Sequence, residues 1–202
     1  MIMFNYRVLI YGRGRVADYM EDLWLEEGLS HIAEDLNGFD RGNIGRANLF
    51  LEDPGNVTLV YGGDALDERG ASFLFLRYLG DRFGDGIFRE LVQSRSAGKA
   101  NVEAASEERF KELFADWSSA CYLSGLEITA DERFNYTSID LRGDFDTLTV
   151  IENDLSVFEI AGDVKSMGPE FIRFSIPSGI SLSVTIDCTN VGRMNAVIIR
   201  LD

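Results

Sequence analysis

Apolar residues recur at helical spacing along the first two thirds of this chain, and short alternating runs replace them afterwards. From Val16 to about Asn37 the spacing predicts a helix burying Trp24, Leu25, Ile32, Ala33 and Leu36, stopped by Asn37 and Gly38. Residues 47–62 are mixed, with "EDPGN" a turn and "VTLVYGG" a short extended piece. "ERGASFLFLRYLGDRFG" is the strongest helical stretch: Phe73, Leu76, Leu79 and Phe83 form one apolar face, widened by Leu74 and Phe75. "DGIFRELVQS" predicts a further helix. So does "SEERFKELFADWSSACYLSG", with Phe110, Leu113, Phe114 and Trp117 inward, although Ser106 lacks the glutamate three residues on that a capping box needs. Residues 1–10 are apolar without a capping residue, and "YGRGR" breaks their pattern.

After "RGDFDT" the runs "LTVIE", "SVFEIA", "FIRFSI", "ISLSVTID" and "AVIIRL" are β-branched or alternating, separated by turn residues. They predict a small antiparallel β-sandwich or sheet. The expected class is therefore α+β: a helical domain over residues 1–125 and a β-rich domain over 126–202, packed together.

Composition narrows the functions. The chain has 202 residues and a formal charge of −15. Residues 147–202 carry seven acids and four bases, so most of the acidity falls in 1–146. Nucleic-acid binding draws its affinity from cations on phosphate, and this balance argues against it. No apolar run approaches the ~18 residues of a membrane span, and an apolar-then-basic N-terminus reverses the order of a signal peptide. Cys121 and Cys188 make neither a disulfide scaffold nor a cysteine-rich metal site; two separate buried thiols and a single bridge both fit the sequence.

The candidate chemistry lies in "WLEEGLSHIAEDL", which holds the only histidine. Glu27 and His31 stand four apart and Glu34 one turn further on, so a helix sets all three on one face. A carboxylate and an imidazole so placed can share a cation, and a histidine can also support a ligand by hydrogen bonding. Spacing alone equally describes a solvated helix face, because a zinc site normally takes three protein ligands.

"WLEEG" at residues 24–28 resembles the "WLxEG" segment of gluzincin metallopeptidases, and "WLEEGLSHIAED" looks most like the hyicolysin family. "DERGASFLFLRYLGDRFG" is similar to the helix after the zinc site of such proteins, whose pattern is Tyr-x-Lys-Gly-Ala; Arg69, Gly70 and Ala71 fit, and Asp67 stands in place of the tyrosine. "FKELFADW" and "RFNYTSIDLR" also look like hyicolysin-type sequence, so the resemblance runs over residues 1–142. It implies the helical C-terminal subdomain of a zincin-type metallopeptidase, secreted or at the cell surface, acting on a peptide or protein substrate. It makes Glu27 the third zinc ligand and His31 a supporting residue, with Tyr61 a substitute for the missing oxyanion-donating tyrosine. The H-E-x-x-H motif, which supplies two histidine ligands and the general base, is absent. By this resemblance its second histidine falls just before Met1. Zinc is then expected in the intact protein, while these 202 residues hold none and do not catalyse. Apolar faces left without that helix are expected to self-associate.

The remaining signals have plain explanations. Arg142–Asp144 spells an integrin-type tripeptide, which three residues produce readily by chance. Asp140, Asp144 and Asp146 lack the later glutamate of a calcium loop, and "GRGR" lacks the features of a phosphate loop. Phe73, Phe75, Tyr78 and Phe83 read as core. Beside the peptidase stands a reading of another class, a non-catalytic helical plus β module that binds a protein or glycan partner.

Overall fold

The computed structural model describes residues 2–11, 20–39, 41–146, 148–153, 163–179, 181–187, 194 and 196–201, with the side chains of the first helix described from Tyr6 onward. Among the described residues the fold is α+β and mostly helical. The helices are α1 (Ile2–Tyr11), α2 (Leu23–Leu36), α3 (Arg41–Glu52), α4 (Leu66–Phe83), α5 (Gly86–Gln93), α6 (Gly98–Ser106) and α7 (Phe110–Leu123). Among the described residues no helix is long and apolar enough to cross a membrane.

α4 is the central rod, buried along most of its length, with α2 and α3 packed against it. The large aromatics interlock around it: Phe75 meets Trp117 edge-on at 5.5 Å, Trp24 meets Phe110 at 5.8 Å, and Phe50 stacks on Trp117 at 5.5 Å. α3 was not expected, because "RGNIGRANLFLE" has two glycines, two asparagines and little apolar periodicity. Tertiary packing makes it helical: Ala47, Phe50 and Leu51 are buried. α3 crosses α4 at Gly70, where any Cβ would collide with the Arg46 carbonyl and lie 2.7 Å from the Ala47 nitrogen.

α1 is tied down by polar groups as well as packing. Arg7 Nη2, buried, donates to Glu21 Oε2 and to Ser96 O, both at 2.9 Å, and Asn101 Nδ2 donates to the same carboxylate at 2.9 Å. Tyr11 donates to Gln93 O at 2.7 Å. The expected start of α2 at Val16 lies outside the described residues; its described start is Leu23. Asn37 and Gly38 close the helix as expected, with Gly38 N donating to Asp35 O at 2.9 Å and Asn37 Nδ2 to Ala33 O at 2.7 Å. Leu36, expected inside, is exposed because the last turn runs past the core. Ser106 ends α6 rather than opening α7, its hydroxyl donating back to Val102 O at 2.7 Å.

The β region departs from the antiparallel sandwich or sheet. Among the described residues it is a two-stranded parallel sheet of β1 (Ile151–Asn153) and β2 (Ile172–Phe174), with Ile151 opposite Ile172. The intervening stretch is long enough for a crossover, whereas an antiparallel pair is joined most simply by a tight turn. "SVFEIA" lies outside the described residues, and "SLSVTID" (181–187) and "AVIIRL" (196–201) run without strand pairing among the described residues. The described sheet region docks on the helices, with Thr149 N donating to Leu51 O at 2.9 Å and Leu59 N to Met167 O at 3.0 Å. Tyr136, Leu141 and Leu148 join the helical core.

Candidate functional site

Trp24 and Leu25 are fully buried, which fixes the rotation of α2 and leaves Glu27, just past them, at the edge of the core. Gly28 faces α4 closely: a Cβ there would stand 3.2 Å from Leu76 and 3.3 Å from the Ser72 carbonyl. That approach brings Glu27, whose side chain is 26% exposed, beside Arg69, with Nη1 3.3 Å from Glu27 Oε2. Arg69 Nη2 pairs at the same time with Asp64.

His31, one turn after Glu27, is buried at 3% exposure. Its Nδ1 lies 3.0 Å from Glu34 Oε2. A carboxylate only accepts, so the hydrogen-bond network assigns the proton to Nδ1. Arg46 Nη1 stands 3.8 Å from the same Glu34 oxygen and donates to Asn43 Oδ1 at 2.9 Å, while Asn43 Nδ2 donates to the His31 carbonyl at 2.9 Å. Burial lowers the His31 pKa, against the opposing effect of the Glu34 hydrogen bond, and favours the neutral ring. The hydrogen bond from His31 in turn holds Glu34 below the usual glutamate range. His31 Nε2 is then left buried with a lone pair and, among the described residues, no hydrogen-bond partner, 4.0 Å from Glu27 Oε2.

Tyr61 is buried, and its hydroxyl lies 3.4 Å from Ser72 Oγ. Ser72 spends its own proton on Arg69 O at 3.0 Å, so Tyr61 is the donor of that pair. Burial pushes its phenol up to about 12, and Glu27 and Arg69 both act on it electrostatically. Tyr61 thus stays protonated and sits in the same charge neighbourhood, its proton directed at Ser72. Asp67, in the first turn of α4, accepts from Glu68 N at 2.8 Å.

The sequence therefore brought out Glu27, His31 and Glu34, which the structure does gather. It gave no role to the groups that organise them. Arg69 stood out only as a match to a pattern, and Asn43 and Arg46 sit on a helix whose periodicity is too weak to announce it. Glu27 and His31 offer a carboxylate and an orphaned imidazole nitrogen, donor types that zinc takes, so the residues fit part of a zinc site. Among the described residues no three His, Cys, Asp or Glu side chains converge to hold a metal.

Other features have structural roles. Cys121 is buried and unbridged, its thiol pushed up to about 12 by burial, and Cys188 lies outside the described residues. Arg142 donates to Ser124 O at 3.0 Å and also to Tyr122 O, so the Arg142–Asp144 tripeptide does not present its arginine freely. Asp140 accepts from Arg142 N and Gly143 N at 3.1 and 2.9 Å, closing its own turn. An apolar groove of about 290 Å³ lies along α2 and α5, lined by Tyr6, Leu29, Ile32, Leu36, Phe88 and Val92.

Comparison of the chain with known protein families, with characterised proteins and with solved structures gave no match.

Proposed function

We propose that these residues form the helical part of a gluzincin-type zinc metallopeptidase, hyicolysin-like, that supplies the third zinc ligand, Glu27. The observation that carries the reading is the setting of Glu27: a partly exposed carboxylate on a helix anchored by Trp24, with the orphaned Nε2 of His31 4.0 Å away. A chain with one histidine cannot contain H-E-x-x-H, so the reading requires two histidines and a general base from outside these 202 residues. Zinc held there would act as a Lewis acid and lower the pKa of a bound water toward 7.

The chain's own residues have defined tasks in this reading. Trp24 and Leu25 lock α2 so that Glu27 is presented at the edge of the core. Glu34, held by Arg46, fixes the His31 ring and so sets its Nε2 beside the Glu27 carboxylate. Arg69 balances the charge of Glu27. Tyr61, protonated at any ordinary pH, is the residue available to donate to a peptide carbonyl oxygen, once its hydroxyl turns from Ser72.

The test is zinc content and peptide hydrolysis in the protein expressed from its complete reading frame. Glu27→Gln is expected to lower bound zinc at least tenfold and to abolish hydrolysis. Wild-type zinc and activity in that variant would sink the reading, as would the lack of in-frame His-Glu-x-x-His codons ahead of Met1.

A second reading, a non-catalytic module that binds a partner or a second copy of itself, is favoured by the outer face of α1, where Leu9 is 82% and Ile10 59% exposed.

A further inference from the structure

We propose that Glu27 and His31 by themselves bind a divalent transition-metal ion, zinc or cobalt, in an exchangeable two-donor site, and that Arg69 is the internal cation this ion displaces. The ligand added here is His31, and the proposal uses only the 202 residues present, so it does not depend on the metallopeptidase reading.

The geometry is that of a metal-ligating histidine before its metal arrives. Such a histidine commonly donates one ring N–H to a carboxylate, which fixes the tautomer and aims the other nitrogen at the ion. His31 does this, with Nδ1 3.0 Å from Glu34 Oε2 and Nε2 buried without a hydrogen-bond partner among the described residues. Nε2 faces the Glu27 carboxylate at 4.0 Å, two acceptors with no proton between them. A group that accepts electron pairs from both sides resolves that opposition.

Zinc–nitrogen and zinc–oxygen bonds of about 2.0–2.2 Å at a tetrahedral angle put the two donors ~3.4 Å apart. The observed 4.0 Å closes with a shift of about 0.6 Å by Glu27, whose side chain is only partly buried. Water completes the coordination, which keeps the ion exchangeable.

Arg69 sets the affinity. Its Nη1 lies 3.3 Å from the Glu27 oxygen that the ion would take, while its Nη2 is already paired with Asp64. It can leave Glu27 without losing every partner, yet it competes for the carboxylate. Removing the guanidinium should therefore tighten binding, the opposite of what loss of a merely structural ion pair would do.

The single histidine makes the experiment specific to one residue. Zinc chloride is titrated into the 202-residue chain while the imidazole nitrogens are followed by NMR. The expected result is a saturable shift of Nε2 at one equivalent, with Nδ1 keeping its proton. Glu27→Gln is expected to weaken binding roughly tenfold or more, and Arg69→Gln to strengthen it severalfold. An imidazole unmoved by millimolar zinc overturns the proposal without any variant, and so does an equal response in Glu27→Gln. Neither outcome touches the metallopeptidase reading, which stands or falls on zinc and hydrolysis in the complete protein.

Discussion

His31 is a buried base kept neutral by its surroundings, and that has a consequence for stability. Its folded pKa lies below its unfolded value near 6.5 because burial disfavours the charged ring. Below about pH 6.5 the unfolded chain therefore binds the extra proton more readily, and acid favours unfolding. Glu34 acts in the same direction at lower pH: its folded pKa is lowered, so its stabilisation is present above the unfolded glutamate range and is lost as pH falls through the folded value. The urea midpoint is expected to fall steadily from pH 7 to pH 5. In His31→Gln that slope should flatten between pH 7 and 5.5. An unchanged slope would mean that His31 is not the group responsible.

Among the elements, α3 depends most on its neighbours. Its sequence favours a helix weakly, and it is held by Phe50 and Leu51 in the core and by close backbone contact at Gly70. An alanine at position 70 gains about 1 kcal/mol of helix propensity but forces a methyl against the α3 backbone, which cannot rotate aside as a side chain could. Gly70→Ala is therefore expected to destabilise the protein by about 2 kcal/mol net, read by chemical denaturation. A neutral or stabilising result would mean that α3 moves freely relative to α4. The same crossing places Asn43 and Arg46 against His31 and Glu34, so loosening it should also disturb the candidate site.

Over the whole molecule, acidity and exposed apolar surface oppose each other. A charge of −15 keeps copies apart, while Leu9, Ile10 and Val8 on α1 offer an apolar face. Screening by salt weakens the repulsion and leaves the apolar term in place. Sedimentation at 0.5 M salt is expected to show association that grows with protein concentration, and Leu9→Glu with Ile10→Lys is expected to abolish it. A wild-type monomer at high concentration and high salt would exclude self-association through this face.

The sequence by itself determined the elements with strong local signals: α4, α5 and α7, the end of α2 at Asn37 and Gly38, and the turn of α2 that groups Glu27, His31 and Glu34. Apolar periodicity and a stop residue act within a few residues, so these were legible without the rest of the chain. The tertiary structure decided what depends on distant partners. It made α3 a helix, set β1 and β2 parallel, and left the apolar runs 181–187 and 196–201 without strand pairing among the described residues. It also brought Arg69 from α4 and Arg46 from α3 onto the carboxylates of α2. Strand pairing and charge pairing are long-range choices, made only when packing has fixed which surfaces meet. For that reason the sequence pointed to the carboxylates and the histidine, and the cations that hold them in place came into view only with the fold.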